Sequence, residues 1–288
     1  MNANPTLSLD LVSDVRQLLS FPFMVHALEA GTIVAVLAAV VGWYMVLRRQ
    51  SFAGHTLSVM AFPGATGAAL AGLPAALGYY LACSGAALAI AGSGRRATGD
   101  DRGRETAAIG TVQATGLAAG FLFLSLDQAV LGGPETLLFG TFLGVTQSQV
   151  LVLAIVAAAA LGALAVLGRP LMYASVDPDA ASAGGVPVTR LDLAFLLILA
   201  LAIAATSQIT GALLVFALLV APAASAQLIT TRPGAGLALS VGFGLLIAWL
   251  GLGVAYFSIY PAGFFLTTFA FGLYLALRLG RWALSRRR

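Results

Sequence analysis

Two histidines and one cysteine occur in 288 residues, so any metal or proton chemistry in this chain has few side chains to work with. His26 and Glu29 stand three positions apart and share one face of a helix. An imidazole and a carboxylate at that spacing can form an entrance that attracts cations. They also lie only about 5 and 9 Å from the start of their apolar run, near enough to reach water at an interface. His55 opens the next apolar stretch directly after Arg48 and Arg49. A neutral imidazole there suits zinc or a related first-row metal, and it equally suits a hydrogen-bonded structural role. Cys83 lies in an apolar run without a partner, which excludes disulfides and cysteine metal clusters and fits a small core residue. All 15 basic residues are arginine. The absence of lysine excludes a Walker A phosphate loop and Schiff-base chemistry. No paired carboxylates share an apolar run, and neither an HExxH pattern nor a serine beside both histidine and aspartate occurs at compatible depth. Enzymatic chemistry therefore has no foundation here, and the chain binds no cofactor that its residues identify.

The elements that must position these side chains are set by composition. Hydrophobic residues make up 60% of the chain and charged residues 9%, against roughly 25% charged in a soluble domain. A single globular core cannot hide that much apolar surface, so the solvent is lipid. The expected fold is an all-α polytopic membrane bundle of small-residue-rich helices packed closely together. Residues 1–22 read as an interfacial amphipathic segment, with Leu7, Leu11, Val15 and Leu18 at helical spacing and Asp10 and Asp14 on other faces. They lack the pattern of a secretory signal. A transmembrane domain over 23–280 follows, and a basic tail over 281–288 ends the chain.

Nine apolar stretches have the length needed to cross about 30 Å of hydrocarbon. They span 23–47, 55–72, 74–92, 108–126, 149–168, 191–207, 210–230, 235–258 and 262–279. The stretch 128–148 is apolar enough to enter the membrane as a re-entrant segment. Pro63 and Pro222 fall inside spans, where each kinks or breaks a helix. With the N-terminus outside, every arginine except Arg16 falls on the cytoplasmic side, which fixes the orientation with the C-terminus inside. The loop 93–107 is a charged, solvated linker. The net charge of +4 sits in short clusters between apolar runs, which argues against nucleic-acid binding. One loop differs in kind. In PLMYASVDPDAASAGGVPVTR, Asp177 before Pro178 starts a short helix and Gly184 and Gly185 stop it. An exposed helix without a core of its own, at about 174–188, fits a docking element for a soluble partner as well as an ordinary connection.

Three segments resemble the permease subunits of metal-type ABC importers, which handle zinc, manganese or iron. These are LRRQSFAGHTLSVMAFPGATGAAL at 47–70, DPDAASAGGVPVTRLD at 177–192 and TGALLVFALLVAPAASAQLITTRPG at 210–234. The resemblance implies a homodimer in the cell membrane, with two cytoplasmic ATPase subunits carrying the ATP and an extracytoplasmic metal-binding protein delivering the substrate. It makes the helix around 177–185 a coupling helix, with Asp177, Asp179, Ala180, Gly184 and Gly185 as the residues that meet the ATPase. The missing lysine agrees, since the energy source then lies on another chain.

The sequence departs from the family at one place. Many members carry an aspartate after the glycine and a histidine four residues later, where this chain has His55 and Val59. The ligand pair on one helix face is therefore not carried over whole. Imidazole in place of an oxygen ligand tilts preference from manganese towards zinc, so His55, with His26 and Glu29 at the outer entrance, are the candidate metal residues. The expected function is import of a divalent metal, zinc first, by alternating access. The alternatives are a permease for iron chelates or cobalamin, and a stand-alone secondary transporter.

Overall fold

The computed structural model describes residues 11–94, 102–126, 140 and 142–286. Eleven α-helices occur among them. They are α1 (Leu11–Leu19), α2 (Pro22–Leu47), α3 (Ser51–Leu70), α4 (Ala75–Gly94), α5 (Arg102–Leu126), α6 (Gln147–Val176), α7 (Pro178–Ala183), α8 (Val188–Thr210), α9 (Ala212–Ile229), α10 (Pro233–Tyr256) and α11 (Ala262–Ser285). Each apolar stretch of the sequence falls on one of these helices. Seven of them, α2, α4, α5, α6, α8, α10 and α11, are long and apolar enough to cross a membrane. Helix α3 is diluted by Ser51, His55, Thr56, Ser58, Thr66 and three glycines, and its residues from Ala53 to Ala68 are mostly buried. A helix solvated by other helices has less need of apolar side chains than one facing lipid. Helix α9 is short, with 18 residues.

Several boundaries differ from the sequence reading. The loop 93–107 is narrower than expected, because α4 runs to Gly94 and α5 starts at Arg102. Arginine and glutamate are good helix formers and extend α5 into the charged segment. Helix α6 continues past Arg169 and Pro170 to Val176, with Leu171 and Ala174 buried, so packing outweighs the proline there. Neither Pro63 nor Pro222 breaks its helix. Thr66 Oγ1 donates to the carbonyls of Phe62 and Pro63 at 3.1 and 3.3 Å beside the first of them. Helix α11 extends through Ser285, so most of the basic tail is helical. Of the 128–148 stretch, 127–139 and 141 lie outside the described residues, as do 1–10 of the N-terminal segment; Phe142–Gly144 form a 3-10 turn.

Contacts divide the chain into two units, to both of which α2, α6 and α9 contribute. The first draws on Met1–Trp43, Thr141–Ile155 and Ala217–Arg288. Here Ser240 Oγ donates to the carbonyl of Ala39 at 3.0 Å, Trp249 Nε1 to Thr32 Oγ1 at 2.9 Å, and Gln227 Nε2 to the carbonyl of Trp43 at 3.2 Å. These bonds tie α9 and α10 to α2. In α1, Leu18 and Asp14 are buried while Val12, Val15, Arg16 and Leu19 are exposed, so Asp14 shares the inner face with Leu18 and Val15 does not, unlike the split expected from the sequence.

The second unit draws on Tyr44–Gly140 and Val156–Phe216 and centres on α3, which packs on α4, α5 and α8. Helices α3 and α4 meet at Gly64 and Gly78. A Cβ on either glycine would run into the backbone carbonyl of the other, so only hydrogen fits at the crossing. Cys83 is buried in α4 and donates through Sγ to the carbonyl of Leu57 at 3.4 Å. Large apolar side chains such as Leu81, Leu88, Phe121 and Val166 point outward, as lipid requires.

Candidate functional site

The short helix foreseen between two spans is present as α7, built by its ends. Asp177 is the N-cap, and its Oδ1 accepts from the amide of Ala180 at 2.9 Å, with Pro178 at the first helical position. At the other end the amides of Gly184 and Val186 donate to the carbonyls of Ala180 and Ala181 at 2.9 and 3.0 Å. Gly185 turns the chain away at φ +82°, a conformation that suits a residue without Cβ. Asp177, Pro178, Asp179 and Ser182–Gly185 are exposed, and Ala181 alone within the helix is buried. An element this exposed owes its shape to caps, and its outer surface is open to a partner.

The base of this element is held by Arg48, in the turn that joins α2 to α3. Arg48 Nη2 pairs with Asp192 Oδ1 in α8, and Nη1 donates to Ser175 Oγ in α6 at 2.9 Å. The guanidinium lies over the ring of Phe195, 5.3 Å from its centroid, and the Arg48 side chain is 7% exposed. Arg48 Nε and Gln50 Oε1 are buried without a hydrogen-bond partner. Beside them is a cavity of about 510 Å³ lined by Arg48, Gln50, Phe52, Thr106, Pro178 and Asp192. In the sequence Arg48 belongs to the arginines that orient the chain, and Asp192 has no evident task. The available signal was an arginine closing one apolar run and an aspartate opening another.

His55 lies in the second turn of α3, half-buried, with its ring edge-on to Phe216 at 4.9 Å. Its Nδ1 is buried without a hydrogen-bond partner, so the ring keeps a lone pair or proton uncommitted. Val59 is buried one turn further on, and Thr56 Oγ1 is bonded to Gln113 Oε1 at 3.0 Å. His26 and Glu29 belong to the first unit, the former half-buried and the latter exposed. Glu29 lines a largely apolar cavity of about 980 Å³ with Asp14, Thr32, Val254 and Trp249. Among the described residues no three of His, Cys, Asp and Glu group closely enough to hold a metal ion.

The seven long apolar helices define a multi-pass membrane protein. Residues 20–280 match the model of the ABC 3 transport family, and the chain belongs to that family. It is 32% identical over 244 residues to the chelated iron transport system membrane protein YfeC of Yersinia pestis, covering 85% of this chain and 80% of that protein. It is 30% identical over 243 residues to the manganese transport system membrane protein MntC of Halalkalibacterium halodurans, covering 84% and 81%. Among solved structures, a chain of PsaBC from Streptococcus pneumoniae in complex with Fab superposes with a TM-score of 0.81 at 25% identity, covering 93% of this chain and 95% of that one. A further structure shares the fold with a TM-score of 0.75 at 16% identity.

Proposed function

We propose that this chain is the membrane-spanning subunit of an importer that moves a divalent first-row metal ion into the cytoplasm by alternating access. ATP is hydrolysed on two separate subunits that dock on α7, an extracytoplasmic binding protein delivers the ion, and the permease works as a homodimer. All nine apolar stretches cross the membrane, with α3 and α9 shielded by their neighbours, and the C-terminus is cytoplasmic. Family membership across 20–280, together with an exposed, doubly capped α7, supports the reading most directly.

Zinc is the ion we assign. The supporting observation is His55, whose buried Nδ1 has no partner in the protein. A neutral imidazole favours zinc over manganese, which prefers carboxylate and water oxygens. His26 and Glu29 lie towards the outer end of α2, and Glu29 is exposed to attract cations there. A second reading is a manganese or chelated-iron permease, favoured by the relatives that carry those names. Competitive uptake of zinc, manganese and iron by the reconstituted importer separates them. Zinc carried in preference, with a loss on His55→Ala, supports the first reading. Preference for manganese or iron, unaffected by that change, supports the second.

A further inference from the structure

We propose that Arg48 is the positioning residue through which movement of α7 reaches α2 and α3. The inference rests on the docking role proposed for α7 and goes beyond it by naming the side chain that passes the displacement on. Ser175 lies two residues before the cap Asp177, and Asp192 lies in the second turn of the helix that leaves the element. They stand on the two stems of α7, and one guanidinium holds both. The planar fork of arginine fixes the angle between its two donors, so the stems cannot shift apart without moving Arg48 or breaking a charge-assisted bond.

Arg48 is itself confined. Its side chain is 7% exposed and lies against Phe195, so it does not swing free to absorb a displacement. Its backbone belongs to a tight turn in which the amide of Arg48 donates to the carbonyl of Tyr44 at 2.9 Å and that of Gln50 to Met45 at 3.0 Å. Arg49, between them, is held at φ +58°, in the left-handed region that residues with a Cβ seldom occupy. The turn is therefore short and closely determined, and α3 begins at Ser51 with His55 one turn along. A push on α7 has a polar, directional route to the helix that carries His55, whereas apolar contacts at the same place would allow sliding.

The test uses the complete importer in proteoliposomes, with ATP hydrolysis and metal entry measured together. Arg48→Gln is expected to keep ATPase subunits bound and hydrolysing while the metal moved per ATP falls about tenfold, within the usual range for a coupling between sites. Asp192→Asn should give a similar loss, and Arg48→Gln with Asp192→Asn should be no worse than either alone. If Arg48→Gln fails to reach the membrane, Asp192→Asn carries the test, since that side chain is partly exposed. Metal moved per ATP equal to that of the unaltered protein in either variant overturns the proposal. Asp179→Arg in α7 distinguishes the underlying reading: retained ATPase binding and coupling there would remove the docking role itself. Loss of ATPase binding in Asp179→Arg with unaltered coupling in the Arg48 and Asp192 variants would remove only the role of Arg48.

Discussion

The guanidinium of Arg48 is paired with the carboxylate of Asp192 across 144 positions of sequence, joining the end of one apolar helix to the start of another. The arginine is buried and the aspartate is 41% exposed on its side chain. Removing the aspartate strands a buried charge, whereas removing both groups does not. Asp192→Asn should cost about 1–3 kcal/mol of stability, reduced from the value for a fully buried pair by solvent on the aspartate side. Arg48→Met with Asp192→Leu should cost less than Arg48 left alone by Asp192→Leu. Thermal unfolding of the purified variants checks the order, and equal losses for single and double changes would contradict it.

The crossing of α3 and α4 admits only glycine. Gly64→Ala or Gly78→Ala forces a methyl into the opposing carbonyl and should destabilise the protein by about 1–3 kcal/mol or more. Gly85→Ala, on the same helix as Gly78 with open space around it, should cause no loss. Melting temperatures of the three variants in one detergent test this contrast.

Helix α7 depends on its ends. Asp177→Ala removes the acceptor for the amide of Ala180 and should cost the helix about 1 kcal/mol. Gly185→Ala places a Cβ at φ +82° and should cost a similar amount, roughly 1 kcal/mol. Hydrogen exchange should quicken in peptides covering 177–186 in both variants and remain unchanged in α8. The same variants should weaken ATPase binding, measured by co-purification.

Seven of the nine apolar stretches were legible as helices long enough to cross, because lipid imposes a length and a composition on whatever crosses it, whereas α3 is diluted by polar residues and glycine and α9 is short. Helix α7 was legible because Asp177, Pro178, Gly184 and Gly185 are local stop and start residues whose effect needs no tertiary partner. The continuation of α6 through Pro170 was not, since buried Leu171 and Ala174 secure it through packing that the sequence does not display. The link from Arg48 to Ser175 and Asp192 was hidden for the same reason. Arginines flanking spans are common for topological reasons, and nothing local distinguishes one that is buried and paired. His55 was picked out by residue type, and the structure adds the uncommitted Nδ1.

His55→Ala should lower zinc uptake by at least about tenfold, since losing even an outer partner of a metal ligand costs about 10–100-fold. His55→Asp should retain uptake and shift preference towards manganese, since a carboxylate is the harder donor. Parallel uptake of radioactive zinc and manganese measures both, and unchanged uptake in His55→Ala would remove the residue from the transport path.

Metal entry into proteoliposomes tests the central claim most directly. The permease reconstituted with its ATPase subunits and the metal-loaded binding protein should accumulate zinc only when ATP is supplied to the ATPase side, and the permease alone should accumulate none under an ion gradient. Accumulation by the permease alone, with no ATPase present, would contradict the assignment.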